Sequence, residues 1–169
     1  EGLAALGSDL DGVSDLLLVQ VPLRRTLSEN TLSPDARAGI VERLLGGKIG
    51  APALDVVAFA VRLKWSSSRN LQDALRRLSR TAMFRRAERT GELDEVEDQL
   101  FRFGRIVDAS PELSVILDDP TADPAARSAL VHRLLAGRAH PLVTELVDAL
   151  ARDTAGRSFT HVVRELLDQ

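Results

Sequence analysis

The chain contains no cysteine and no tyrosine, has Trp65 as its single tryptophan, and draws only 4% of its 169 residues from the aromatics. Without cysteine, disulfides and thiolate metal sites are excluded, and the redox compartment stays undetermined. So few aromatics argue against a β-sandwich, which draws on aromatic and β-branched residues. No apolar run approaches the ~18–20 residues that cross a bilayer. The longest candidate, Ala51–Val61, is interrupted by Asp55, so no direct membrane insertion is expected. No signal peptide is visible. The chain opens at Glu1 in mid-amphipathic pattern and reads as a fragment, with room for an anchor or further domain outside it. A large charge of either sign is missing too: 22 basic and 25 acidic residues leave −3. That balance speaks against a protein whose work is to neutralise phosphates.

What is present is Leu, Ala and Arg, a composition that suits helices. The stretch Thr81–Val107 organises the rest: a helix ends at Gly91, and a second begins in which Leu93, Val96, Leu100, Phe103 and Val107 share one face. Acidic residues from Glu92 to Asp98 fill its first turns, where they meet the positive end of the helix dipole. Upstream, Leu3, Leu6, Leu10, Val13, Leu16 and Leu17 mark a helix, and Pro22 opens a short one over Leu23–Leu27. Ser33-Pro34 is an N-cap followed by proline at the first helical position. The helix that it starts carries Ala36, Ile40, Val41, Leu44 and Leu45 and stops at Gly46-Gly47. Pro52 opens the next, with Leu54, Val57, Ala58 and Val61 as its buried stripe, and Asn70–Arg89 forms a long helix. In that helix Leu71, Leu75, Leu78 and Ala82 form one stripe, with Ala74, Met83, Phe84 and Ala87 off it.

The same pattern recurs about ninety residues later. Leu10 falls on Leu100, Pro34 on Pro124, Arg37 on Arg127, Val41 on Val131, Leu45 on Leu135 and Gly47 on Gly137. Pro22 matches Pro111 after a one-residue gap, and Asp123-Pro124 stands for Ser33-Pro34. The matches gather at core positions and caps, which points to an internal duplication. The expected fold is all-α: two tandem duplicated helical bundles sharing a connecting helix, with the first copy over 1–69 and a six-helix second copy over 70–169. The last helix of the second copy spans Ser158–Gln169.

No set of residues converges on chemistry. Gly46-Gly47-Lys48 lacks the hydroxyl and the preceding strand of a phosphate loop and reads as a helix stop. His161 and Glu165, four apart, are half of a possible metal site, but no HExxH exists, and His132 and His140 lie in other segments; surface hydrogen bonding explains all three better. No nucleophile motif is found, so no enzyme and no cofactor is expected. The arginines at 76, 77, 80, 85, 86 and 89 are spread around their helix and followed by acids, unlike a recognition helix. Pairing with Glu88, Glu92 and Asp94, or bridging of the bundles, accounts for them, and nucleic acid is not an expected partner. The alternative retained is a helical repeat adaptor that binds nucleic acid or a regulatory partner through this helix.

Ser79–Ala87 resembles the later half of the motif Y-A-x-A-L-F-x-x-A that opens the delta subunit family of the rotary ATP synthase, which includes the oligomycin-sensitivity-conferring protein. Ser79 and Arg80 replace the opening Tyr-Ala. Gly91, Leu93, Val96 and Leu100 are similar to the family's G-x-L-x-x-V stretch and following leucine, Pro111-Glu112-Leu113 to its NPEL turn, and Leu130–Gly137 to its helix ending in GGK or AGK. Residues 1–69 resemble an upstream copy lacking its first helix. Glu95–Arg105 resembles the duplicated actinobacterial form most closely; in mycobacteria that region follows a subunit-b-like segment. The resemblance implies a non-enzymatic stator component on the cytoplasmic face of the bacterial plasma membrane. It would hold the catalytic head to the b-type stalk by clamping N-terminal helices of the alpha subunits. The implied groove lies between Asn70–Arg89 and about 141–151, with Leu75, Leu78, Ala82, Leu146 and Leu150 as its contact residues.

Overall fold

Helix starts in this chain are written by proline and by short polar side chains. In a computed structural model, which describes residues 2–119, 121–154 and 157–168, ten helices follow one another, with no strand among the described residues. They are α1 (Gly2–Val19), α2 (Val21–Ser28), α3 (Pro34–Leu45), α4 (Ala51–Arg62), α5 (Ser68–Arg89), α6 (Leu93–Ala109), α7 (Pro111–Asp118), α8 (Pro124–Leu135), α9 (Pro141–Arg152) and α10 (Phe159–Leu167). Six of these (α2, α3, α4, α7, α8 and α9) have proline at the first or second position. There its missing N–H costs nothing. Ser33, Ser110, Asp123 and Ser158 each accept a backbone N–H at the start of α3, α7, α8 and α10. The predicted glycine stops hold: Gly47, Gly91 and Gly137 take φ of 76°, 74° and 71°, a left-handed conformation that a side chain would strain. Gln169, the last residue of the predicted final helix, lies outside the described residues.

The chain divides into two units, residues 1–86 and 87–169. In the first, α3 and α4 form a helical hairpin, and Ala38, Val41, Ala53, Val57 and Val61 are buried there with Leu10, Val13 and Leu17 of α1 and Leu71 and Leu75 of α5. In the second, α8 and α9 form the hairpin, and α6 and α10 pack on α9. Val96, Leu100, Phe103 and Val107 of α6 are all buried, as the spacing predicts, and the ring of Phe103 meets Phe159 edge-on at 6.1 Å. The helix α9 is central to this unit, burying Leu142, Val143, Leu146, Val147 and Leu150. The boundary at 86/87 divides space, whereas the expected copies 1–69 and 70–169 divide sequence. The helix α5 lies almost wholly within the first unit.

Helix lengths recur between the units. The helices α2, α3 and α4 have 8, 12 and 12 residues, and so do α7, α8 and α9, each beginning ninety residues later. No gap is required at α7, because proline moves from the second position of α2 to the first of α7. Two predicted stripes are corrected by the packing. The core face of α3 is Arg37, Ala38 and Val41, while Leu44 is 43% exposed. In α5 the buried face runs through Leu71, Gln72, Leu75, Arg76, Ser79, Ala82 and Met83. Leu78 stands at the edge of that arc, so polar residues fill positions that the apolar count gave to leucine.

Candidate partner-helix surface

A surface that grips a helix requires apolar side chains that remain accessible on a framework that does not yield. The framework on the first unit is the seam between α1 and α5. Ser14 Oγ donates to Gln72 O at 3.1 Å, and Gln72 Nε2 donates to Ser14 Oγ at 2.8 Å. Arg76 is 3% exposed; its guanidinium reaches the Asp11 carboxylate and, at 2.7 Å, Asp15 Oδ1. Ser79 Oγ donates to Gly7 O at 2.6 Å. A Cβ at Gly7 would lie 3.1 Å from Met83 Cγ and 3.3 Å from Ser79 O, so the two helices touch there because residue 7 has no side chain. The arginine run is therefore not one surface. Arg76 is a buried ion-pair partner of α1, not of the acids after Gly91, while Arg77, Arg85 and Arg89 are exposed.

Of the five residues expected to contact a partner, Leu75 and Ala82 lie on the buried face of α5 at 0% and 6% exposure. Leu146 and Leu150 lie one turn apart in the core of the second unit, at 1% and 0%. Only Leu78, 43% exposed, meets solvent as an accessible contact residue must. The four buried ones pack because the face of a helix richest in leucine is the face that folding removes from water first. Exposed apolar side chains that the pattern did not single out include Phe59 on α4, Phe101 and Ile106 on α6, and Val115 and Ile116 on α7. Phe59 and Phe101 fall off the 3–4 spacing of the buried stripes of α4 and α6, whereas Ile106, three residues after Phe103, shows no such signal. Phe101, Gly104, Val107 and Val163 line a shallow groove of about 220 Å³ between α6 and α10. The Arg105 guanidinium sits 5.7 Å above the Phe101 ring, and Arg164 pairs with Asp108 at 3.0 Å on the rim.

The histidines lie apart. His161 is 3.9 Å from Glu165, and His132 is 3.3 Å from Asp148, both with more than half of the side chain exposed. His140 departs from the surface role expected of it: its side chain is 14% exposed and its Nε2 lies 3.0 Å from Glu92. Among the described residues no three histidine or carboxylate side chains gather as metal ligands, and no helix is long and apolar enough to cross a membrane. The Asp119 carboxyl is held below its ordinary range because Thr121 donates to it from both hydroxyl and backbone N–H, at 2.7 and 2.8 Å.

The two hairpins, the polar α1–α5 seam and the ion pairs describe an assembly of helices with apolar surface to offer. Comparison with known proteins gives that assembly a family. A family model described as the ATP synthase delta (OSCP) subunit matches residues 80–169. The ATP synthase subunit delta of Streptomyces avermitilis is 48% identical over 153 residues, covering 90% of this chain and 56% of the relative. Those of Frankia alni and Salinispora tropica are 42% and 39% identical over 163 and 166 residues, covering 96% and 98% of this chain and 58% and 61% of the relatives. The chain thus spans about three fifths of the length of these curated relatives. By its sequence, and with an all-helical fold, the chain belongs to the ATP synthase delta (OSCP) subunit family.

Proposed function

We propose that this chain is part of a non-catalytic stator subunit of the proton-translocating ATP synthase. It acts on the cytoplasmic face of the plasma membrane, between a b-type stalk and the catalytic head. The family match over residues 80–169 carries this reading. In it the chain tethers the head by binding N-terminal helices of the alpha subunits, so that rotor torque drives ATP synthesis. Leu78 is the contact that a docking helix reaches directly. Leu75 and Ala82 lie beneath the surface of α5 in the first unit, and Leu146 and Leu150 beneath that of α9 in the second. The matching lengths and spacing of α2–α4 and α7–α9 support an origin by tandem duplication, with a first copy over 1–69 and a second over 70–169.

The test is calorimetric titration of the chain with a peptide copying the alpha-subunit N-terminus. Saturable binding, lost when the apolar face of the peptide is made polar and weakened about tenfold or more by Leu78→Asp with folding intact, is the expected result. Undiminished binding by Leu78→Asp would remove Leu78 from the contact. An absence of any binding would remove the clamp.

A further inference from the structure

The N-terminus of α9 is closed by a histidine. His140 Nδ1 accepts the backbone N–H of Leu142 at 3.1 Å, while Nε2 lies 3.0 Å from Glu92 Oε2. A ring nitrogen that accepts from an N–H carries no proton, so the proton of the neutral imidazole sits on Nε2 and is donated to Glu92. The surrounding chain is tied in as well. The backbone N–H of His140 donates to Gln99 Oε1 at 2.6 Å, Gln99 Nε2 donates to Glu95 Oε1 at 3.1 Å, and Thr90 Oγ1 donates to Glu92 Oε2 at 3.1 Å.

The first unit shows why a side-chain acceptor is needed here and not there. Ninety residues earlier, Gly50 N–H donates to Asp9 Oδ2 at 2.9 Å, the counterpart of the bond from His140 N–H to Gln99. The second residue of α4 is Pro52, which has no N–H to satisfy. In α9 proline occupies the first position, at Pro141, and the second, Leu142, presents an N–H that must find an acceptor. His140 supplies it.

We propose that His140 is a proton-operated cap on α9. With the ring neutral, Nδ1 holds the first turn of the helix and Nε2 holds Glu92. With the ring protonated, Nδ1 becomes a donor facing a donor, the cap opens, and only the bond to Glu92 remains, now as an ion pair. Of the charged groups, Glu92 at the head of α6 meets the ring and Glu95 stands behind Gln99, while Arg138 in the α8–α9 connection and Glu145 on α9 are exposed. Cap and ion pair thus compete for one side chain. Because α9 is the central buried helix of its unit, this competition acts on the frame of the second unit and not on a surface turn.

The test follows imidazole 15N shifts and the hydrogen-exchange protection factor of the Leu142 amide in one sample, from about pH 8 to about pH 5. Expected are the Nε2–H tautomer at the upper end and a loss of Leu142 protection of roughly fivefold, the scale of an N-cap, as the ring becomes charged. In His140→Asn, whose side-chain oxygen caps without titrating, protection should be retained and flat. An Nδ1–H tautomer, protection that ignores the titration of the ring, or the same pH dependence in His140→Asn would each overturn the proposal.

Discussion

The hairpins α3–α4 and α8–α9 have helices of equal length but are joined by different chemistry. In the first, Ala38 and Ala58 stand at the seam, both buried, with Glu42 exposed nearby along α3. Ninety residues on, the same places hold Ser128, Asp148 and His132. Asp148 accepts from Ser128 and, at 3.0 Å, from Arg152, with His132 at 3.3 Å. One seam excludes water with methyl groups; the other satisfies a carboxylate. A second contrast is the buried arginine. Arg37 Nε donates to Val61 O at 2.6 Å, Nη1 to Leu32 O at 2.7 Å and Glu29 O at 3.0 Å, and Nη2 to Arg62 O at 3.4 Å. This cation has carbonyl oxygens around it, among them the last carbonyls of α4, where the negative end of the helix dipole suits it. Arg127 is also buried, but its Nε has no partner among the described residues. A hairpin geometry can thus be kept while the interactions inside it are exchanged, even where a buried donor such as Arg127 Nε is left without an acceptor.

The largest way to break this comparison is Arg37→Met. Up to four carbonyls lose their donor, and the first unit should lose roughly 3–5 kcal/mol. Urea unfolding followed by Trp65 emission reads that unit, since Trp65 Nε1 is bonded to Ala60 O at 2.8 Å within it. Arg127→Met should cost the second unit less, because its buried Nε gives up no hydrogen bond. Equal costs, read by hydrogen exchange on each unit, would show that the Nε bond of Arg37 contributes nothing.

Asp148→Ala sharpens the seam contrast. It leaves Ser128 and Arg152 without their acceptor and should destabilise the second unit by about 1–2 kcal/mol. Adding Ser128→Ala, which restores the alanine pair of the first hairpin, should recover part of that loss. A double variant as unstable as the sum of the singles would show that the two side chains do not act together. The smallest effect is expected at the turn after α7, where Thr121 bonds to Asp119. Thr121→Val removes the hydroxyl donor to Asp119, so the Asp119 carboxyl should titrate closer to its ordinary range, with little change in unfolding. Because the folded carboxyl is held low, its contribution is present above the ordinary carboxylate range and disappears as pH falls through the folded value. An Asp119 titration by NMR that does not move upward would assign the effect to the backbone N–H instead.

Much of the fold was legible because its signals are local. Ser33-Pro34, Asp123-Pro124, Gly47 and Gly91 mark starts and stops through bonds to residues two to four away, and the face of α6 follows from spacing alone. The correction to α5 arose where leucines were counted and polar residues were assumed to face water. The match of Arg37 with Arg127, embedded among core positions, was the one available signal that an arginine belonged inside. The candidate contact residues were legible as apolar members of the right helices, but not as exposed or buried. Four of them serve the core, and accessible apolar residues such as Phe101 and Val115 fall outside any stripe.

By itself, then, the sequence determined the helices, their order, their recurrence and a family resemblance that the family match upholds. These depend on neighbours a few residues apart, on 3.6-residue periodicity and on the torsional habits of proline and glycine. Tertiary structure alone decided that Arg76 is buried, since Asp11 lies 65 residues away, and that Gln72 is buried, since Ser14 lies 58 away. It alone placed His140 between Glu92 and Leu142. Burying a polar group is unfavourable until a partner arrives, and that partner comes from a helix that no local pattern can specify.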